Sequence, residues 1–287
     1  MKTLGRVLTA MITPFNADGS VDFEGALTLA KHLLNNGSDG LIVCGTTGES
    51  PTIDNEDKLK LFELIARECG HLGSIVANTG SNNTQRTIEL TKAASKTGVN
   101  AVMGVVPYYN KPNQRGLFEH FKAMAEATDL PVIVYNVPGR TGGKIEPQTV
   151  CQLAHDFPNI IGLKDASGDL DYAGYVAANA PEGFHLYSGD DNLTCYRRCR
   201  RRRRHFRRCP RHRQGNERND PGPQRRRRQE GSGPPSEVPA LHERLLLHGQ
   251  PGPGQNHAQH ARFPGRPVPP ALVDATPEIK AKMRTNT

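Results

Sequence analysis

Lys164 ends a short apolar run in "NIIGLKDASGD" (159–169). Ile160, Ile161, Gly162 and Leu163 read as a buried strand of a parallel sheet, yet lysine is among the residue types least often buried. On these residues alone two readings stand: a surface residue that follows a strand, or an amine held in an apolar pocket for chemistry. Apolar walls destabilise an ammonium ion, and the neutral amine that remains is a nucleophile. Other groups with usable chemistry fall in four motifs. "GTTGES" (45–50) holds Thr46 and Thr47, "PYYNKP" (107–112) holds Tyr108 and Tyr109, "YNVPGRTG" (135–142) holds Tyr135 and Arg140, and "SGDD" (188–191) holds Gly189. Each has a structural explanation by itself: Tyr135 can cap a core, Arg140 can pair at the surface, and "GTTGES" can be a mere turn. Their joint placement decides more.

Strand-like runs recur along the first 194 residues: "RVLTAMITPF" (6–15), "GLIVCG" (40–45), "SIVANTG" (74–80), "AVMGVVPYY" (101–109), "PVIVYN" (131–136), "IIGLKD" (160–165) and "FHLYSGD" (184–190). Stretches such as 22–36, 55–68 and 114–128 lie between them. Their apolar residues recur at three- and four-residue spacing, as a helix with one buried face requires. Strand alternating with helix about every 30 residues means a parallel sheet with right-handed crossovers. Seven such units exceed most doubly wound sheets and approach the eight of a barrel. No Gly-rich dinucleotide fingerprint follows the first strand, which argues against a Rossmann domain. The expected fold is therefore α/β, a (β/α)8 TIM barrel with seven readable strand–helix units. Its site must form from strand C-termini and the loops that follow. Two threonines, three tyrosines, an arginine and a lysine then converge on one mouth.

At 287 residues the chain has room for one large α/β domain or two smaller ones. No apolar run reaches membrane-spanning length. The opening "MKTLGRVLTAMITPF" is broken by Thr9, Thr13 and Pro14 and no small-residue cleavage site follows, so a first strand is expected there and the cytoplasm is the expected location. Six cysteines without regular spacing do not suggest a disulfide framework. The net charge of +8 joins two different texts. Residues 195–270 hold 19 arginines, no lysine and 5 acidic residues, with 12 of the 22 prolines and 6 of the 11 histidines. The remainder is net acidic, an ordinary balance for an enzyme.

In this order, "GTTGES", "PYYNKP", "YNVPGRTG" and "GLKDASGD" resemble the pyruvate-dependent class I aldolase and lyase family of barrels. The resemblance runs from about Gly5 to Asp191 and returns at "ALVDATPEIKAKMR" (271–284). The double threonine and "YNVPGRTG" are more similar to the dihydrodipicolinate synthase branch than to the N-acetylneuraminate lyase branch, which usually has serine before threonine in the first motif. The resemblance implies a Schiff-base mechanism with Lys164 as nucleophile. Its amine attacks the ketone of pyruvate, the protonated imine acts as an electron sink, and the methyl group loses a proton to give an enamine. That enamine adds to aspartate semialdehyde, and the product cyclises as the lysine is released, a step of lysine (diaminopimelate) biosynthesis. Tyr135 is the implied acid/base, with Thr46 and Tyr109 relaying protons. Thr47, backbone N–H groups and Gly189 belong to the substrate-binding set, and the fork of Arg140 suits the carboxylate of the second substrate. In the family the tyrosine matching Tyr109 reaches in from a neighbouring subunit, which implies at least a dimer and usually a homotetramer, a dimer of dimers. No metal or cofactor is expected, because the cluster lacks the His/Asp/Glu grouping of a catalytic metal.

Several members of the synthase branch are inhibited by lysine at a subunit interface beside the second-strand loop. The resemblance places that site near Ser50, Asn55, Lys58, Asn82, Arg86 and Tyr108. Sensitive members tend to have histidines where Asn55 and Lys58 stand and a glutamate where Arg86 stands. An ammonium ligand in a partly buried cleft needs opposite charge, and here it meets like charge, so lysine insensitivity is expected.

Residues 195–270 stand where an eighth strand and helix belong. "CYRRCRRRRRHFRRCPRHRQ" (195–214) invites a nucleic-acid reading, since clustered arginine neutralises phosphates. Cys195, Cys199, His205, Cys209 and His212 invite a zinc reading, but their spacing fits none of the usual pairs and the arginines repel a cation. The favoured reading is a frame error. Starting each codon of "PGQNHAQHARFPGRPVPP" (253–270) at its second nucleotide, with GC-rich third positions, permits PVKTMLNMLGFPVGPFRP, a helix-and-turn text that joins directly onto "ALVDATPEIKAKMR". The expected organisation is a catalytic barrel at 1–194, shifted text replacing strand 8 and the C-terminal helices at 195–270, and a tail at 271–287 back in family register. The expected partners are pyruvate and aspartate semialdehyde, with neither membrane nor nucleic acid. Two other functions stay in view: a sister aldolase acting on a sugar acid or N-acetylneuraminate, and a non-enzymatic barrel binding nucleic acid through 195–228.

Overall fold

The computed structural model describes residues 4–193; the expected frame-shifted segment at 195–270 and the tail at 271–287 lie outside the described residues. Seven strands are present: β1 (Leu8–Ala10), β2 (Gly40–Val43), β3 (Ser74–Asn78), β4 (Ala101–Val105), β5 (Val132–Asn136), β6 (Ile160–Asp165) and β7 (His185–Ser188). Helices α1 (Phe23–Asn35), α2 (Asn55–Cys69), α3 (Thr84–Ala94) and α4 (Gln114–Glu126) follow β1 to β4 in turn. A single turn, α5 (Pro138–Thr141), and then α6 (Pro147–Asp156) follow β5, and α7 (Leu170–Asn179) follows β6. Every neighbouring pair of strands is parallel and the spatial order is the sequence order. A doubly wound sheet reverses its order at a switch point, whereas a barrel does not. The sheet also curls back on itself: the Tyr187 hydroxyl on β7 donates to the carbonyl of Gly5, just before β1, at 3.2 Å.

Side chains sort into an inner and an outer layer, as strand alternation demands. Ile42, Val76, Ala101, Met103, Ile133 and Tyr135 form the inner cluster, and Leu4 closes it from the N-terminal side. Between strands and helices lie two outer clusters, one around Phe62 and Ile65, the other around Phe121 and Leu153. On α4 the buried Leu117, Phe121, Met124 and Ala125 recur at the expected helical spacing. Asp22, Asn83, Asn113 and Asp169 cap α1, α3, α4 and α7, each accepting a backbone N–H of the first turn. The expected run 6–15 contracts to Leu8–Ala10. Pro14 has no N–H for a ladder, and Phe15 turns instead to an antiparallel bridge with Val21. No helix among the described residues is long and apolar enough to cross a membrane.

One core residue couples this packing to pH. His120 on α4 is 3% exposed, its Nδ1 lies 2.9 Å from the Thr84 hydroxyl, and burial pushes its pKa from 6.5 to about 4. Between those two values the unfolded chain binds a proton that the folded chain refuses. Stability is therefore full above pH 6.5 and falls as pH drops through about 4, by roughly 3 kcal/mol in all. Urea unfolding at pH 7 and pH 4.5 should show most of this loss, and His120→Phe should remove it. An equal loss in the variant would place the effect elsewhere.

Candidate active site

Lys164 reaches the barrel interior through an irregularity of strand pairing. Val132 pairs with Ile160, but the next residue, Ile133, pairs with Gly162, so Ile161 is an extra residue in β6. Such a bulge shifts the alternation by one place. Ile160 and Leu163 pack outward with the helices, Ile161 packs inward, and Lys164 becomes the register partner of the inward-facing Tyr135. Strict alternation from Ile161 would have sent Leu163 inward and Lys164 out. Gly162 permits the irregularity, since a Cβ there would lie 2.8 Å from the His185 carbonyl oxygen.

The Lys164 Nζ sits 4.7 Å from the centroid of the Tyr135 ring, within reach of a cation–π attraction. Its side chain keeps some surface at the mouth, but loss of water around the amine lowers its pKa from 10.5 to about 8. The carboxylates of Asp191 and Asp190 oppose that fall, and the guanidinium of Arg140 reinforces it. Tyr135 is 6% exposed, and burial pushes its phenol above the usual range, while Arg140 and a hydrogen bond with Thr46 pull it back. Burial thus favours the uncharged form of both: an amine that is a nucleophile and a phenol that still holds a proton.

Directly beyond this pair is a buried lock. Asn136 and Asp165 are the next register partners; the Asn136 Nδ2 donates to Asp165 Oδ1 at 3.0 Å. The Ser167 N–H donates to the same oxygen and the Ser167 hydroxyl to the other. Both residues are 0% exposed, so the two strand ends carrying Lys164 and Tyr135 are tied at the point where they leave the sheet.

The remaining expected residues are distributed as follows. Thr46 and Thr47 are half-buried in the turn after β2, whose bonds are donated by Gly48, Glu49 and Ser50. Arg140 stands exposed on α5, above Lys164 and Tyr135 and in electrostatic reach of both. The Gly189 N–H donates to the Asp165 carbonyl at 2.8 Å. Tyr109 is different: it has φ 70 and is 89% exposed, so within one chain it does not join the group. Among the residues expected for an effector, Ser50 accepts from Asn78 Nδ2 at 3.4 Å, and the Asn82 carbonyl accepts from Asn110 Nδ2 at 3.0 Å. Asn55 and Arg86 are exposed and Tyr108 is half-buried. Lys58 is also half-buried, its amine pushed down by lost water against the opposing pull of Cys44 and Asp54. The motifs alone do not mark Asp165, Asn136, Asp190 and Asp191, although each directly or nearly follows a residue that they do mark. Adjacency to Lys164, Tyr135 and Gly189 was the available signal.

This arrangement can form and protonate an imine at the C-terminal end of a parallel barrel. Many known proteins resemble this chain. The profile of the Dihydrodipicolinate synthetase family matches residues 3–197. The 4-hydroxy-tetrahydrodipicolinate synthase of Bacillus subtilis is 54% identical over 190 residues, 66% of this chain and 66% of its own length; the matched region thus spans slightly less than two thirds of that relative. Among solved structures, dihydrodipicolinate synthase of Bacillus anthracis superposes with a TM-score of 0.80 at 31% identity, over 99% of this chain and 98% of that one. The Cyanidioschyzon merolae enzyme, crystallised with lysine bound, gives 0.80 at 32% identity over 99% and 97%. With the family profile covering the whole described barrel, and with Lys164, Tyr135 and Thr46 gathered at its mouth, the chain belongs to the dihydrodipicolinate synthetase family.

Proposed function

We propose that the protein condenses pyruvate with L-aspartate 4-semialdehyde to 4-hydroxy-tetrahydrodipicolinate through a Schiff base on Lys164. The observation that carries this reading is the pairing of an amine whose proton is loosened by burial with a buried phenol that keeps its own, the nitrogen 4.7 Å from the ring centroid. The amine adds to the pyruvate ketone; Tyr135 supplies the proton with which the carbonyl oxygen leaves as water, and then accepts one from the methyl group as the enamine forms. Thr46, bonded to Tyr135, is the next member of the relay. Thr47 and the Gly189 loop hold the pyruvate carboxylate, and Arg140, exposed at the rim, meets the carboxylate of the incoming aldehyde. Tyr109 completes the relay from a second copy of the chain: its 89% exposure on a left-handed backbone suits a residue presented outward. That requires at least a dimer, and the family resemblance points to a homotetramer in the cytoplasm.

Borohydride reduction in the presence of pyruvate tests the reading. A reduced adduct on the peptide carrying Lys164 is expected; without it, both the synthase and a sister aldolase on a sugar acid fail. Aldehyde preference then separates those two. The family match ends at residue 197, three residues into the arginine-rich text, which supports a shifted frame at 195–270. Genomic DNA across those codons reads this directly.

Lysine should be a poor inhibitor, in contrast to a protein that binds it in the crystal. Lys58 is half-buried on α2, its amine pushed down by lost water, and Arg86 stands exposed on α3, so a guanidinium occupies the position where sensitive relatives tend to have a glutamate. At about 4 Å and an effective dielectric near 20, one unit-charge pair is worth about 4 kcal/mol before screening. Even a quarter of that, changed from attraction to repulsion, weakens binding more than tenfold. Assays with lysine from micromolar to tens of millimolar should give half-inhibition above about 1 mM; a lower value refutes the charge argument.

A further inference from the structure

β6 and β7 run in register so that Lys164 faces Tyr187 and Asp165 faces Ser188. One residue later the two chains touch: the Gly189 N–H donates to the Asp165 carbonyl at 2.8 Å. A Cβ on Gly189 would lie 2.7 Å from the Cβ of Ala166, so only glycine lets the loop pass this close. Asp190 and Asp191 come next, in a turn that Ser188 fixes. Its hydroxyl donates to the Asp190 carbonyl at 2.6 Å and accepts the Asp190 N–H at 3.3 Å. The Leu193 N–H closes the turn on the Asp190 carbonyl at 3.1 Å. Both aspartates are half-buried. The loop is thereby bonded to the end of the strand that carries Lys164, and from it the carboxylates of Asp191 and Asp190 both act on the amine.

Resting on the imine reading above, we propose that Asp190 and Asp191 are positioning residues for Lys164: a fixed carboxylate pair that balances the positive charge its nitrogen acquires when the imine forms. The charge arises by simple accounting. The neutral amine forms a C–N bond to the ketone carbon as the C=O π bond breaks. One proton is taken up, the oxygen leaves as water, and the nitrogen is left doubly bonded and cationic. Amine, ketone and proton give iminium and water. Burial and Arg140 both disfavour a cation at this point, and the Tyr135 face offers only a quadrupole. Asp165, next on β6, is committed to Asn136 and Ser167. The loop after β7 supplies the opposite charge: Asp191 acts most strongly on the amine, Asp190 acts on both Lys164 and Tyr135.

Two effects of opposite sign follow for Asp191→Asn in the full-length chain. The free amine should become reactive at lower pH, because less opposes its loss of the proton. The cationic imine should become less populated, because its counter-charge is gone. The first is read without pyruvate, as the pH dependence of Lys164 acylation by acetic anhydride measured on its peptide. The wild-type midpoint is expected at about 8, and the variant's about one pH unit lower. The second is read as borohydride-trapped adduct against pyruvate concentration, expected to need roughly tenfold more pyruvate. Asp190→Asn should move both in the same directions by less, and Asp191→Glu should restore both. A purely structural role would change thermal melting and leave the acylation midpoint alone. Wild-type midpoints and trapping curves in both Asn variants overturn the proposal; if Asp191→Asn does not fold, Asp190→Asn decides by the same two readouts. Failure of the condensation reading is seen separately, as an unaltered chain whose Lys164 is acylated but never trapped with pyruvate.

Discussion

Lys164→Ala should eliminate the pyruvate adduct and lower turnover by on the order of 10⁴-fold or more, equivalent to about 5.5 kcal/mol of barrier. The expected size follows from what is lost. Without an amine there is no iminium, and without the iminium the pyruvate methyl has no electron sink into which to release a proton. No other group at the mouth substitutes for it: Arg140 offers a guanidinium, not an amine, and Lys111 is exposed beside Gly142. In the unaltered chain the same amine should set the pH dependence. With its pKa lowered to about 8, the rate of imine formation should rise with pH and level off above that value. Below it the rate falls tenfold per unit, as the fraction of neutral amine does. Stopped-flow mixing with pyruvate, followed by borohydride quench, measures both. A Lys164→Ala enzyme within a hundredfold of wild type would mean that the chemistry does not pass through this residue.

Tyr135→Phe should lower turnover by roughly 10² to 10⁴-fold, the usual worth of a positioned acid/base, while the protein remains folded. The ring belongs to the inner cluster and Phe keeps that packing, so the stability change should stay near the ~1 kcal/mol of one hydrogen bond. Only the hydroxyl, its bond with Thr46 and its proton are removed. The adduct should still form with pyruvate, but slowly, since the carbonyl oxygen must then find its proton from water. That combination separates Tyr135 from Lys164: one variant slows the adduct, the other never forms it. A Phe variant with a normal trapping rate and normal turnover would show that the proton comes by another route.

How much of this was legible before the structure can be argued from β6. The run Ile160–Asp165 was read to the residue, since four apolar residues bounded by turn formers are a local property of the chain. The helical faces were legible for the same reason, and so was the barrel: strand alternating with helix leaves few topologies. The presence of an amine, phenols and hydroxyls at strand C-termini was likewise written in the order of residues.

Which way Lys164 points was not. Period-two alternation counted along β6 from Ile161 turns the lysine away from the interior, and the bulge that reverses this exists only in the pairing of β5 with β6. A pairing irregularity is a relation between two segments far apart in sequence, so neither segment carries it alone. The same holds for the Asn136–Asp165 lock, for the approach of Gly189 to Ala166 that brings two aspartates to the amine, and for Lys58, whose place on a helix gave no sign that its amine would lose water. Tyr109 shows the converse: its motif marked it for the site, and its backbone carries it 89% exposed to the outside of the chain. The residue types and the barrel that must hold them were determined by the sequence. Their facing, burial and electrostatic coupling were decided by strand register and close backbone approach, which are set by contacts between segments and have no local signature.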